Sequence, residues 1–460
     1  MTVEVLPVGV ACNLGCTYCY QNPMRDAGNF TDKEDYDIDA IIKTLDGQGS
    51  DFNVFGGEAL LVPIKDLEKL WAYGFKRFNK NGIQSNGVLI TDEHIKLFKK
   101  YKVSIGISMD GPDELNSLRW AGSKEKTDAS TAKTMNNIKK VLDAGIPVSL
   151  IITLHRVNAT EKRLPRLIEW VKELDRIGVN TARLHLLEVD NELTRNLYTL
   201  TTDQMVNALM TFNDLEKELN HLKFDIFGDM NRLLRGDDKV TCIWVGCDSY
   251  TTSAVQGIGG DGDMHNCGRT SDSGIYWKKA DTAGYERYLS LYNTPQEYNG
   301  CKDCRFWLMC RGQCPGTAID KDWRNKTEHC EVWMRLYEYL ETEMVNQNEM
   351  PLSLHPKLRF AEKIYQERWA LGANPPLASV LASLHQVEPT QSSDSHTRKF
   401  AIQGHGDHND SPVLPHGDGH GDDAASGLSL DVQERTDSLV SSSTNIPNHG
   451  DHWDTDYSNG

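Results

Sequence analysis

Along the first half of the chain, short β-rich runs alternate with longer helical patterns. VEVLPVGV, FNVFGG, GIQSNG, VSIGIS, VSLIITLH and ARLHLLE are spaced by segments such as IKDLEKLWAYGFKRF, TAKTMNNIKKVLDAG and LPRLIEWVKELDRIG. Repeated strand–helix units of this kind predict a parallel sheet with right-handed crossovers. Ligands of such sheets bind at the carboxyl ends of the strands. The residues just after each β-rich run are therefore where a site is expected.

The loop after the first run reads CNLGCTYC and packs Cys12, Cys16 and Cys19 into eight positions. The N-terminus carries no basic stretch followed by an apolar run and a cleavage site, and no apolar segment approaches the roughly 20 residues needed to cross a bilayer. A reduced, cytoplasmic chain with clustered cysteines is expected to hold metal and not disulfides. Three thiolates can seat a zinc ion with one open position, or hold three irons of a cubane and leave the fourth exposed. The remaining eight of the eleven cysteines lie between Cys242 and Cys330, enough to saturate two further cubanes.

C-x3-C-x2-C with Tyr18 before the last cysteine resembles the signature of radical S-adenosylmethionine (SAM) enzymes. In that family SAM chelates the open iron, and its reductive cleavage gives a 5'-deoxyadenosyl radical that abstracts hydrogen from substrate. Further segments match in order. Gly56, Gly57 and Glu58 in VFGGEALL resemble the segment that contacts the SAM amino group, where glycine permits close backbone approach and a carboxylate offers the ammonium an acceptor. IQSNG, with Gln84 and Asn86, and IGISMDGP, with Ser108 toward the ribose, resemble the next two strand ends. The resemblance implies a partial (β/α)6 TIM-like barrel.

The second half resembles the SPASM pattern: Cys247, then Gly262 and Cys267, then C-x2-C-x5-C-x3-C at Cys301, Cys304, Cys310 and Cys314, and finally Cys330, with Cys242 as an eighth cysteine. The resemblance implies two auxiliary [4Fe-4S] clusters in interleaved ligation, one on Cys242, Cys247, Cys267 and Cys314, the other on Cys301, Cys304, Cys310 and Cys330. With the first cluster that makes three. Zinc ribbons would fit an isolated C-x2-C but not the full spacing. Full ligation leaves no iron for substrate, so it favours electron transfer and net oxidation of substrate. Anaerobic sulfatase maturases share the eight-cysteine frame but carry an aspartate directly after the cysteine matching Cys267, whereas this chain has Gly268. A winged-helix peptide-recognition domain has no room before the first strand.

These readings give a radical SAM barrel with a linking helix over 1–235, a SPASM domain over 236–345, a helical extension or leader-like segment over 346–400, and an acidic tail over 401–460. From Ala401 onward eleven acidic residues face only Arg435, so the tail supplies ten of the chain's 17 net negative charges, a composition that predicts disorder. His-Gly-Asp recurs there at His405, His416, His420 and His449. An aromatic two residues before an aspartate resembles the cores of ribosomal peptides that SPASM enzymes cross-link into cyclophanes. Trp453-Asp454-Thr455 and Tyr457-Ser458-Asn459 share the spacing, and residues near 358–385 are a candidate leader.

The expected activity is therefore oxidative modification of a ribosomal peptide, with the tail as a candidate substrate in cis and a flavodoxin- or ferredoxin-type protein as reductant. The competing readings are a maturase of a separate peptide or protein whose His/Asp-rich tail only binds metal, and an iron–sulfur electron carrier. Acidity and the lack of clustered Lys and Arg argue against nucleic acid. Asp110 and Asp248 are the candidate catalytic bases, and His155 and His185 are expected to line the core or pocket.

Overall fold

The computed structural model describes residues 3–28, 35–188, 191–248, 256–271 and 284–386. The chain divides into two units, Met1–Val387 and Glu388–Gly460. The second, including the acidic tail, its His-Gly-Asp repeats, Trp453 and Tyr457, lies outside the described residues.

All six expected strands form: β1 Val3–Leu6, β2 Phe52–Val54, β3 Asn81–Ser85, β4 Val103–Ser108, β5 Val148–Leu154 and β6 Thr181–Leu186. Each pairs in parallel with the next in sequence. The sheet continues beyond them at both edges. The two-residue β7, Lys223–Phe224, adds in parallel to β6. At the other edge β8, Gln256–Gly259, adds in parallel to β1, and β9, Met264–Asn266, turns back antiparallel on β8. The order β7-β6-β5-β4-β3-β2-β1-β8-β9 leaves the sheet open among the described residues.

The helices between strands form because each carries one apolar stripe. Ile64–Phe78 buries Leu67, Leu70, Trp71 and Gly74, and Leu164–Arg176 buries Leu167, Trp170, Val171 and Leu174. These are the i, i+3, i+4, i+7 positions of one helix face. At about 1.5–3 kcal/mol for each large side chain removed from water, three such residues fix the first helix on the sheet, where Gly74 adds close approach, and four fix the second. The loops at the strand ends are thereby held on a rigid base.

Pairing of β8 with β1 places the cysteine-rich second half directly beside the first strand. Met1–Val387 form one compact unit. The described part of the segment expected as a helical extension or leader packs within it. In the helix Leu358–Ala370, Ala361, Tyr365 and Trp369 are buried, and the Trp369 ring lies 5.0 Å from that of Tyr288 and 6.0 Å from that of Trp307. Removing this helix would uncover the rings of Tyr288 and Trp307, and the core continues through Leu377 and Val380.

Candidate active site

The loop after β1 is fixed on both sides by backbone pairing. Gly57 and Glu58 donate to the carbonyls of Gly9 and Ala11 at 2.9 and 2.8 Å, while Gly15 and Thr17 donate to Trp120 and Leu118, both at 2.8 Å. Gly57 sits so close that a Cβ there would lie 2.3 Å from the carbonyl oxygens of Val10 and Ala11. Only a glycine allows the two segments to meet. The three thiols of the loop are half-buried. Burial, reinforced by the Glu58 charge, pushes the Cys12 thiol up to about 11, with the Leu14 N–H and Arg25 opposing. Burial raises Cys16 as well, against the pull of Arg119.

Arg25 and Arg119 are functional candidates that the sequence did not single out. Arg25, one turn past Cys19, donates to the Val10 carbonyl at 3.2 Å, and its charge is held against Cys19, Cys12 and Cys16. Two guanidiniums thus flank a loop that carries three prospective thiolates. A basic residue soon after the cysteine motif was the available signal.

The strand-end residues converge on this loop. The Asn86 amide donates to Asn13 Oδ1 at 2.7 Å and lies 4.0 Å from Cys12 Sγ, and Gln84 Nε2 donates to Ser108 Oγ at 2.9 Å. Glu58 is also held by donors from its own fold. Its carboxylate accepts from the Leu60 N–H at 2.9 Å, the Ser85 hydroxyl at 2.7 Å and the Asn86 N–H at 2.7 Å, and the side chain is buried. It staples the end of β2 to the end of β3.

Asp110, expected as a candidate base, lies just past the end of β4. Its side chain is fully buried; it accepts from Arg119 at 3.0 Å, from the Thr153 N–H at 2.9 Å and from the Tyr18 hydroxyl. Burial pushes its pKa up, but Arg119 and then His155 outweigh this and hold the carboxyl well below the usual carboxylate range. A carboxylate held this far down, with its oxygens taken by Arg119, Thr153 and Tyr18, is a weak base for a substrate proton. Asp110 instead positions Tyr18, and with it the cysteine loop. Asp248, directly after Cys247, is likewise buried and engaged. His155 is buried with its ring 5.8 Å from that of Tyr18, while His185 on β6 is driven down to about 4 by burial and by Arg183.

The eight remaining cysteines gather as two quartets. The Cys314 thiol is raised by burial and then by Glu188, Cys247, Cys267 and Cys242. Cys310, four residues earlier, is raised by burial and then by Cys301, Cys330 and Cys304. The second quartet lines an apolar cavity with Trp307 and Tyr337. Among the described residues no three His, Cys, Asp or Glu side chains converge on the spacing of a single metal ion.

Residues 6–164 match the family model described as the Radical SAM superfamily. Residues 6–164 thus carry a radical SAM domain, and the chain is similar to sulfatase and peptide maturases. It is 24% identical over 358 residues to the serine-type anaerobic sulfatase-maturating enzyme of Bacteroides thetaiotaomicron, covering 69% of this chain and 83% of that protein. It is 32% identical over 156 residues to the sporulation killing factor maturation protein SkfB of Bacillus subtilis, covering 33% of this chain and 35% of that protein. The fold resembles that of native anSMEcpe with bound AdoMet, with a TM-score of 0.59 and 18% identity over 75% of this chain and 98% of that one. Enzymes of this superfamily use SAM and a [4Fe-4S] cluster. The radical SAM domain sets aside the reading of a simple electron carrier.

Proposed function

We propose that this chain is a three-cluster radical SAM enzyme that oxidatively cross-links side chains of a ribosomal peptide, with residues 401–460 as its substrate in cis. The observation that carries the oxidative part is the sorting of eight cysteines into two complete quartets. Four thiolates for each cubane leave no vacant iron for substrate, which supports electron-accepting roles over substrate binding. When bound at Cys12, Cys16 and Cys19, the third cubane and SAM would supply a carbon-centred radical that removes hydrogen from substrate.

The chain's own residues do the rest. Gly56 and Gly57 bring backbone close to the cysteine loop, Gln84 orients the Ser108 hydroxyl, and Asn86 anchors Asn13. Arg25 and Arg119 offset the charge of the thiolates, and the Asp110–Tyr18 bond fixes the loop from behind. Gly268, whose N–H donates to Glu4 at 3.0 Å, replaces the aspartate that the sulfatase maturases carry, and this supports a substrate other than a sulfatase. Repetition of His-Gly-Asp supports an aromatic-to-Asp cross-link.

The test is the mass of the intact chain after anaerobic incubation with SAM and reductant. Loss of a pair of hydrogens for each modified site, located to His-Gly-Asp, Trp453 or Tyr457, is expected. SAM cleavage with an unchanged tail mass would favour the second reading, a maturase of a separate peptide whose tail binds metal. That reading draws support from the similarity to an enzyme named for maturing another protein.

A further inference from the structure

Arg287 is buried, at 1% exposure, in the helix Glu286–Asn293. Its Nη1 donates to the carbonyls of Gly246 at 2.8 Å, Gln313 at 3.2 Å and Arg311 at 3.3 Å; its Nε and Nη2 donate to Trp323 at 2.6 Å and Asn325 at 2.9 Å. Among the described residues no carboxylate lies within ion-pairing distance of it. The other buried arginines differ, since Arg119 pairs with Asp110 at 3.0 Å and Arg311 with Asp238 at 3.3 Å. A guanidinium cannot shed its charge, and a buried charge without a counter-charge is strongly disfavoured. The environment must supply negative charge from another source.

The identity of the five carbonyls shows where that source lies. Gly246 immediately precedes Cys247, and Gln313 immediately precedes Cys314, both of one quartet. Arg311 immediately follows Cys310, of the other quartet. Between Cys310 and Cys314 the chain passes through three consecutive left-handed residues, Arg311, Gly312 and Gln313, at φ 50°, 74° and 59°. Left-handed backbone is disfavoured for any residue but glycine. Here it reverses the chain so that two cysteines four positions apart face different quartets, and Arg287 ties down the carbonyls on both sides of the reversal. Burial works against its charge, and Cys247, Cys301, Cys314 and Tyr288 are the groups whose charge opposes that.

We infer that Arg287 is the shared counter-cation of the two auxiliary clusters, a positioning residue that holds the crossover between their ligand loops and favours the reduced state of both. This rests on the cluster reading proposed above. The electrostatic reason is direct. A thiolate-ligated cubane is anionic, reduction adds an electron to it, and a fixed cation in a low-dielectric interior stabilises the added charge. One guanidinium contacting the loops of both quartets couples their potentials to a single residue. Nothing about an isolated arginine in the sequence shows this, because its role depends on carbonyls from three separate stretches of chain.

The test compares the full chain with Arg287→Gln and Arg287→Lys after anaerobic reconstitution, by iron and sulfide content and by redox titration followed by electron paramagnetic resonance. Arg287→Gln removes the charge, whereas Arg287→Lys keeps it on a shorter set of donors. Both auxiliary midpoints are expected to fall in Arg287→Gln by at least a tenfold change in the reduction equilibrium, about 59 mV for a one-electron couple, and to stay near the unmutated values in Arg287→Lys. Loss of both auxiliary clusters in Arg287→Gln with retention in Arg287→Lys supports the same role. Unchanged potentials in Arg287→Gln at full iron content overturn it, as does an equal fall in Arg287→Lys, which would trace the effect to lost hydrogen bonds. Iron equivalent to a single cubane in the unmutated chain would instead overturn the cluster reading itself.

Discussion

The Tyr18 hydroxyl donates to the carboxylate of Asp110, a residue 92 positions away, and this bond joins the loop after β1 to the end of β4. Arg119 closes the arrangement, paired with Asp110 at 3.0 Å and with its guanidinium carbon 5.7 Å from the centre of the Tyr18 ring. One buried carboxylate therefore sets both the ring before Cys19 and the cation facing Cys16. The loop is held from beneath by charge and from the side by backbone bonds.

Asp110→Asn keeps the size of the side chain but leaves Arg119 as an uncompensated buried cation. A cost of about 3–5 kcal/mol is expected, read as a lower unfolding midpoint together with reduced iron at the first site. Unchanged stability with loss only of substrate modification would return Asp110 to the role of catalytic base.

A second consequence concerns the glycine turn after β2. Gly57→Ala forces a Cβ to within 2.3 Å of two backbone oxygens, which no side-chain rotation can relieve. About 1–3 kcal/mol of overpacking strain is expected, expressed as weaker SAM binding in calorimetry. Gly47→Ala is the control, because nothing lies within 4 Å of a Cβ there and its place inside the helix Ile38–Gln48 makes alanine the better residue by up to ~1 kcal/mol. Equal affinity for SAM in both variants would count against the turn as a binding element.

The strands β1 to β6 and the helices Ile64–Phe78 and Leu164–Arg176 were legible because each has a periodic apolar pattern of its own. β7 has two residues and β9 three, too few for any period, and they exist through pairing with β6 and β8. The cysteines were legible as a set because thiols at these spacings have few other uses. What could not be read was the orientation of charged residues. Glu58 and Asp110 resemble surface-ready carboxylates in sequence, yet distant N–H groups and Arg119 turn both inward. Arg25 and Arg287 look like ordinary cations until the fold places thiols around them.

Asp175 offers a test of stability against pH in the barrel alone. At the end of the helix Leu164–Arg176 it accepts from the backbone N–H groups of His221 at 2.7 Å, Leu222 at 2.8 Å and Asn220 at 3.0 Å. Burial pushes its carboxyl up, but these donors outweigh that and hold it down at about 2. The folded value lies below the unfolded one near 3.9, so the stabilisation is complete above about pH 5 and is lost as pH falls toward 2, amounting to roughly 2–3 kcal/mol. Asp175→Asn should lower stability at neutral pH by a similar amount and flatten the difference from the unmutated chain in acid. A constant difference from neutral to acid, measured by denaturant titration, would contradict this.

The partition of the cysteines makes the sharpest prediction about the second half of the chain. Cys310 and Cys314 are four residues apart, yet charge on Cys242, Cys247 and Cys267 acts on Cys314 while charge on Cys301, Cys304 and Cys330 acts on Cys310, in line with the interleaved scheme that the SPASM resemblance implies. Removing one thiolate of four should therefore damage a different centre in each variant. Reconstituted protein should hold about twelve irons, and Cys314→Ala and Cys330→Ala should each fall toward about eight if the damaged cubane is lost. Their electron paramagnetic resonance spectra should lack different auxiliary signals, while SAM binding at the first site persists in both because Cys12, Cys16 and Cys19 are untouched. Loss of the same signal from both variants would show that the two thiols serve one centre and would overturn the interleaved arrangement.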